Sequence, residues 1–185
     1  MGRVRRVLRK RFVQAAIVAV VVAVGVGVYW FQPWKLWVDE TVREAAPVAS
    51  GAASGAGGGS GGGAAGGGVR TLAAGELISH EHRTSGSVRI LQLPDGSRTL
   101  RLMGLDTSNG PDLRVLVSDA PVKEGRDGWF GFDKGAHVSL GKLKGNKGDQ
   151  NYALPADLDL NRYSSVSIWC DRFDVSFGAA ALTKA

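Results

Sequence analysis

Residues 12–31, FVQAAIVAVVVAVGVGVYWF, run for 20 positions without a charge. At about 1.5 Å rise per residue a helix of that length spans about 30 Å, the thickness of a bilayer's hydrocarbon core. Valine is only a modest helix former in water, but in lipid every backbone N–H and C=O must be satisfied within the segment, so a helix is expected. Tyr29, Trp30, Phe31, Trp34 and Trp37 gather at its C-terminal end, where interfacial aromatics belong. Six basic residues precede the span (Arg3, Arg5, Arg6, Arg9, Lys10 and Arg11), and only Lys35 and Arg43 follow it closely. That asymmetry predicts a cytoplasmic N-terminus, with everything from about Trp37 onward outside. The alternative is a cleaved signal peptide, whose apolar core is normally shorter, about 7–15 residues, and ends at a small-x-small site. The aromatic cluster stands where that site is expected, with Val48-Ala49-Ser50 the next candidate, so a retained anchor is the preferred reading.

The net charge of +6 invites a nucleic-acid reading, but its location argues otherwise. From Arg70 onward there are 15 Lys plus Arg against 14 Asp plus Glu, a net of +1. A duplex binder carries its basic face on the folded domain, and here the basicity belongs to the tail. No nucleic-acid partner is expected.

Five regions follow: a basic tail (1–11), a membrane helix (12–31), a juxtamembrane segment (32–49), a linker (50–68) and a folded domain (69–185). The linker, SGAASGAGGGSGGGAAGGG, holds 11 of the 27 glycines and no bulky side chain. It cannot bury enough surface to offset ordering entropy and is expected to be a disordered tether on which the domain swings. The domain reads as short alternating runs. Val88, Ile90 and Gln92 share one face, Leu113, Val115 and Val117 another, and Gln150–Leu154 gives a shorter strand. Turn signals recur at Pro94-Asp95-Gly96-Ser97, Ser108-Asn109-Gly110-Pro111 and Gly145-Asn146-Lys147-Gly148. Short strands, frequent turns and no helical period predict an all-β antiparallel β-sandwich.

The sequence has one cysteine, Cys170, in the terminal pair of runs Ser165–Cys170 and Phe173–Phe177. One cysteine rules out an intrachain disulfide, an all-cysteine zinc site and a four-cysteine cluster; the C-x-x-C-H haem attachment motif is also absent. Alternation places Val166, Ile168 and Cys170 on one face and Ser165, Ser167 and Trp169 on the other. With serines marking the outer side, Cys170 points to the core, where a free cysteine is usually a small hydrophobe. A functional thiol needs its thiolate favoured by positive charge; Arg172 is near, with Asp171 opposing it. Between Cys170 and Phe173 the apolar parity changes, so a tight turn or a bulge must intervene. His80, His82 and His137 with Cys170 suggest a His₂Cys copper set, but neither His nor Met follows Cys170. Hydrogen-bonding histidines are the simpler reading. No G-x-x-x-x-G-K-[ST] loop, G-x-S-x-G elbow or triad spacing is present.

Four stretches in order then carry a resemblance. They are His82-Arg83-Thr84-Ser85-Gly86-Ser87-Val88, Thr107–Leu113, Leu143-Lys144-Gly145 with Gly148, Gln150 and Tyr152, and Ile168-Trp169-Cys170 with Phe173, Val175, Phe177 and Gly178. Over about residues 72–183 the chain resembles the DM-thirteen family of electron-transfer domains, often found beside DOMON domains. The resemblance implies a β-sandwich whose cysteine, here Cys170, acts in redox chemistry as a bare thiol or as the ligand of a prosthetic group such as haem. It makes His82 and Trp169 the accompanying candidates for cofactor binding. It also implies a separate redox protein as electron donor, since no DOMON or reductase region accompanies the domain. The competing expectation is a non-catalytic binding or structural module in which Cys170 is core packing.

Overall fold

The computed structural model describes residues 2–47 and 68–185; apart from Gly68, the expected linker lies outside the described residues, as does Val48-Ala49-Ser50. Helix α1, Gly2–Phe31, contains the whole uncharged run. It leaves its valines bare, Val21 being 64% exposed. Gln32 enters the left-handed region at φ 45° and Pro33 follows; proline cannot continue a helix, so the span stops there. Residues Lys10–Lys35 form one helix-based segment long and apolar enough to cross a membrane.

Among the described residues eleven strands follow: β1 Thr41–Arg43, β2 Arg70–Glu76, β3 Ile78–Ser79, β4 Ser85–Gln92, β5 Arg98–Asp106, β6 Leu113–Ser118, β7 His137–Lys142, β8 Lys147–Leu154, β9 Ser165–Cys170, β10 Val175–Ala181 and β11 Thr183–Lys184. They form two sheets, ordered β1-β8-β5-β4-β2-β11 and β3-β10-β9-β6-β7. Every pairing is antiparallel except β1 with β8. The sheets face one another across a core of Val88, Ile90, Leu100 and Leu102 from the first and Val115, Val117, Val166, Ile168 and Cys170 from the second. Each fully buried aliphatic side chain there contributes about 1.5–3 kcal/mol relative to exposure. The expected β-sandwich is the observed fold.

Three local expectations change. The Ser165/Ser167/Trp169 face of β9 is not an outer face: all three residues are at most 1% exposed. The long connection between β6 and β7 covers it, with Phe132 meeting Trp169 edge to face at 6.5 Å and Ser118 Oγ donating to the Phe132 carbonyl at 2.9 Å. Second, Lys147 and Gly148 belong to β8 rather than to a turn. Third, the parity change after Cys170 is absorbed twice. A turn spans Asp171–Asp174 with Asp174 at φ 50°, and the β9–β10 register shifts between Ser176 and Gly178. Phe173 therefore sits in the turn, not in the strand.

The largest departure concerns residues 38–47, expected to lie in a juxtamembrane segment (32–49) outside the folded domain. They are part of the domain. Thr41, Val42 and Arg43 pair in parallel with Lys147, Gly148 and Asp149. Asn146, 1% exposed, latches the entry: its Oδ1 accepts from Glu40 N at 2.7 Å, and its Nδ2 donates to Asp39 Oδ1 and to the Thr107 carbonyl, both at 2.8 Å. At the exit Arg101 donates to the Glu44 and Ala45 carbonyls, each at 3.1 Å, and Asn151 N donates to Glu44 Oε2 at 2.6 Å. Gly148, at φ +94°, lets the strand approach; a Cβ there would collide with the Val42 carbonyl. The linker therefore connects two strands of one sandwich instead of joining the domain to its helix.

A fragment 38–185 is expected to unfold at higher urea concentration than 69–185, which leaves the Asn146 and Arg101 side chains without these partners. Asn146→Ala should cost about 1–3 kcal/mol in the longer fragment, from buried polar groups left unpaired, read as a lower urea midpoint at unchanged slope.

Candidate functional site

The β9–β10 hairpin carries Cys170 at its turn end. The residue pairs with Leu113 on one side and Val175 on the other and is 0% exposed within the core. Burial pushes its thiol pKa up. The backbone N–H groups of Phe173, Arg172 and Asp112 oppose that shift, and the Glu81 carboxylate adds to it. The resting species at neutral pH is therefore the neutral thiol. The turn is pinned by Arg114, which lies 3.3 Å from Asp112 Oδ2 and 3.2 Å from Asp171 Oδ2, and by Asp171 N donating to the Asp112 carbonyl at 2.9 Å.

The H-x-H pair does not share one face. Residues 80–82 form a bend, and the two rings part. His80 Nδ1 lies 2.8 Å from Ser176 Oγ and its Nε2 lies 3.1 Å from the Lys123 carbonyl. A carbonyl only accepts, so Nε2 carries the proton and the serine hydroxyl faces a bare Nδ1. Ser167 Oγ donates onward to Ser176 Oγ at 2.9 Å. This buried serine–histidine contact had no signal in the sequence, because Ser176 is 96 residues away. It lies under the β6–β7 connection, and His80 itself is only 7% exposed. His82 turns the other way, its ring 3.9 Å from that of Phe177 and its Nε2 3.7 Å from Glu81 Oε2. Burial lowers both histidine pKa values, more than the Lys123 carbonyl raises His80 or Glu81 raises His82. His137 is exposed and remote, its Nδ1 against the Gly135 carbonyl.

His82 and Cys170 thus meet the same end of the hairpin through Phe177 and Phe173, while Trp169 packs on the opposite face of β9. The motif residue Thr84 is a lock: its hydroxyl reaches Thr107 Oγ1 at 2.8 Å and the Phe177 carbonyl at 2.9 Å. Gly178 is required opposite it, since a Cβ would stand 2.6 Å from the threonine side chain. Among the described residues, no group of three or more His, Cys, Asp or Glu is gathered to hold a metal ion.

Beside the hairpin lies a cavity of about 240 Å³, walled chiefly by Phe31, Pro33, His82, Pro111, Phe173 and Phe177, with Lys35, Glu81 and Asn109 at its polar points. The helix end supplies one wall. Phe31 stacks on Phe173 at 5.8 Å and 24°. Arg172 lies over the Trp30 ring at 4.7 Å and donates to the Trp30 carbonyl at 3.0 Å. Sequence reasoning missed Phe31, Pro33 and Lys35 as site residues; the aromatic cluster pointed only to the membrane interface.

The molecule is a β-sandwich domain touched at one hairpin turn by the end of an apolar N-terminal helix, with its single thiol at that hairpin's end. The family described as electron transfer DM13 matches residues 76–182, more than half of the chain, and the chain belongs to it. The match leaves α1, β1, most of β2 and β11 outside. No curated protein and no solved structure matches the chain.

Below pH 6.5 the unfolded chain protonates His80 and His82 while the folded domain resists it, so stability should fall as pH drops from 6.5 toward the lowered folded values. Urea titrations at pH 7.5 and 5.5 should show this loss, and His80→Gln should reduce it.

Proposed function

We propose that the protein is a membrane-anchored electron-transfer domain facing the outer side of the membrane, with Cys170 as its redox residue and a separate redox protein as its electron donor. Membership of the electron-transfer family supports the class. The observation that carries the residue is its place: the one cysteine of the sequence, inside the family match, ends β9 directly before the Asp171–Asp174 turn. Opening that turn would admit a reactant to the sulfur. The basic tail supports the orientation through the positive-inside rule. A C-terminal alkaline phosphatase fusion should be active and a C-terminal green fluorescent protein fusion, exported unfolded, dark; the reverse pattern overturns the orientation.

Haem ligation does not fit these residues. Cys170 does not line the cavity, and its sulfur has no exposed surface from which to reach an iron. The cavity, about 240 Å³, also falls below the roughly 300–1,000 Å³ of pockets that enclose larger ligands. The reading is therefore that of a bare thiol reached by opening the turn.

A second reading has its own observation. Zero exposure and a raised thiol pKa suit a binding or structural module in which Cys170 only packs. Titration of the full chain in detergent with a thiol reagent separates the two. The redox reading expects slow native reaction that accelerates at least tenfold in Phe173→Gly, where the turn opens more readily. Reaction only after denaturation, in both proteins, supports packing. Cys170→Ala should cost about 1–2 kcal/mol in either case, and Cys170→Ser more, because a hydroxyl is costlier to bury.

A further inference from the structure

The cavity between helix end and hairpin is the one cavity built jointly by α1 and the sandwich among those described. We propose that it binds the ring of a lipid-soluble quinone, whose tail stays in the bilayer. The inference deepens the electron-transfer reading by naming a partner class, and it rests on that reading for its purpose but not for its binding.

Position comes first. Phe31 is the last residue of α1 and Pro33 and Lys35 follow it directly, so the cavity opens at headgroup level, where Tyr29 and Trp30 mark the interface. An occupant there arrives from the bilayer without crossing water. Shape comes next. The walls are aromatic rings and proline faces, Phe31 and Phe173 being stacked on each other at 5.8 Å as one wall, and such surfaces favour a flat ring. About 240 Å³ holds one substituted ring, since a cavity of about 150 Å³ already takes benzene. Two acyl chains would not fit.

The polar points then select among flat rings. Lys35 carries an ammonium, Asn109 an amide and His82 an imidazole kept neutral by burial. These are hydrogen-bond donors set around an apolar slot, suited to the carbonyl oxygens of a quinone. Glu81 is the one anion on the lining, and it pairs with His82 at 3.7 Å. Asn109 Nδ2 already donates to the Val38 carbonyl at 3.1 Å, so Lys35 and His82 are the donors that a quinone oxygen would meet and a hydrocarbon ring would not.

The test uses the full chain in phosphatidylcholine nanodiscs, with oxidised ubiquinone-1 as probe and tryptophan fluorescence as readout, because Trp30 borders the site through Arg172. Saturable quenching is expected, weakened about tenfold in Phe173→Ala, which removes a stacking wall, and also weakened in His82→Ala. Phe173 is 43% exposed in its turn, so the first variant should fold normally. Quenching that rises linearly and equally in all three proteins is mere partition and overturns the proposal. Saturable quenching that oleate reverses at equal concentration also overturns it, by assigning the cavity to an acyl chain. Thiol titration of the wild type in the same nanodiscs keeps the two readings apart, because Cys170 is not on the lining: a Cys170 that reacts only after denaturation, with saturable quenching retained, sinks the redox role of Cys170 alone, and native thiol reaction without saturable quenching sinks only the quinone.

Discussion

Parallel pairing of Thr41–Arg43 with Lys147–Asp149 decides how the rest of this molecule is arranged. A three-residue strand is weak by itself, since each net hydrogen bond contributes about 0.5–1.5 kcal/mol. The pairing holds because buried or nearly buried side chains close over both of its ends, Asn146 at one and Arg101 at the other. Through it the chain leaving α1 is committed to the sandwich within ten residues. The helix end is thereby brought against the β9–β10 turn, and the stacked Phe31 and Phe173 rings and the Arg172–Trp30 contact follow. A domain on a free glycine tether would have no such wall and no such cavity.

The same packing sets the chemistry of the cysteine. Its position between Leu113 and Val175 withdraws the sulfur from water and keeps it protonated, while the turn's amides oppose that effect. Reactivity in this setting depends on motion of four residues, Asp171 to Asp174, and on the ion pairs of Arg114 with Asp112 and Asp171. Those pairs are partly exposed, Arg114 at 31% and Asp171 at 50%, and such pairs are worth at most about 1 kcal/mol. They are a weak restraint on a turn that already holds a non-glycine residue at positive φ.

Much of the fold was legible because alternation reports burial directly. Leu113, Val115 and Val117 alternate and lie in the core; Val88 and Ile90 do the same. The site was legible only in part. Cys170 stood out as the single cysteine and His82 through a family motif, but Trp169 shares no face with Cys170, although it is its neighbour in sequence. Serines 165 and 167 misled because polarity was read as exposure, whereas both are buried and hydrogen bonded, to the Ser118 carbonyl and to Ser176 Oγ. Short polar side chains satisfied within a core look no different in sequence from those facing water.

By itself the sequence determined a membrane-length apolar helix, a two-sheet β domain and the identity of the one thiol, because hydrophobic run length, period-two alternation and residue chemistry are local properties. Only the tertiary structure decided that residues 38–47 belong to the sandwich, that the cysteine is sealed beneath its turn, and that Phe31 stacks on Phe173 beside a cavity. Each of these joins groups up to 142 residues apart, and no local pattern encodes which distant partner a carbonyl, a ring or a strand edge will meet.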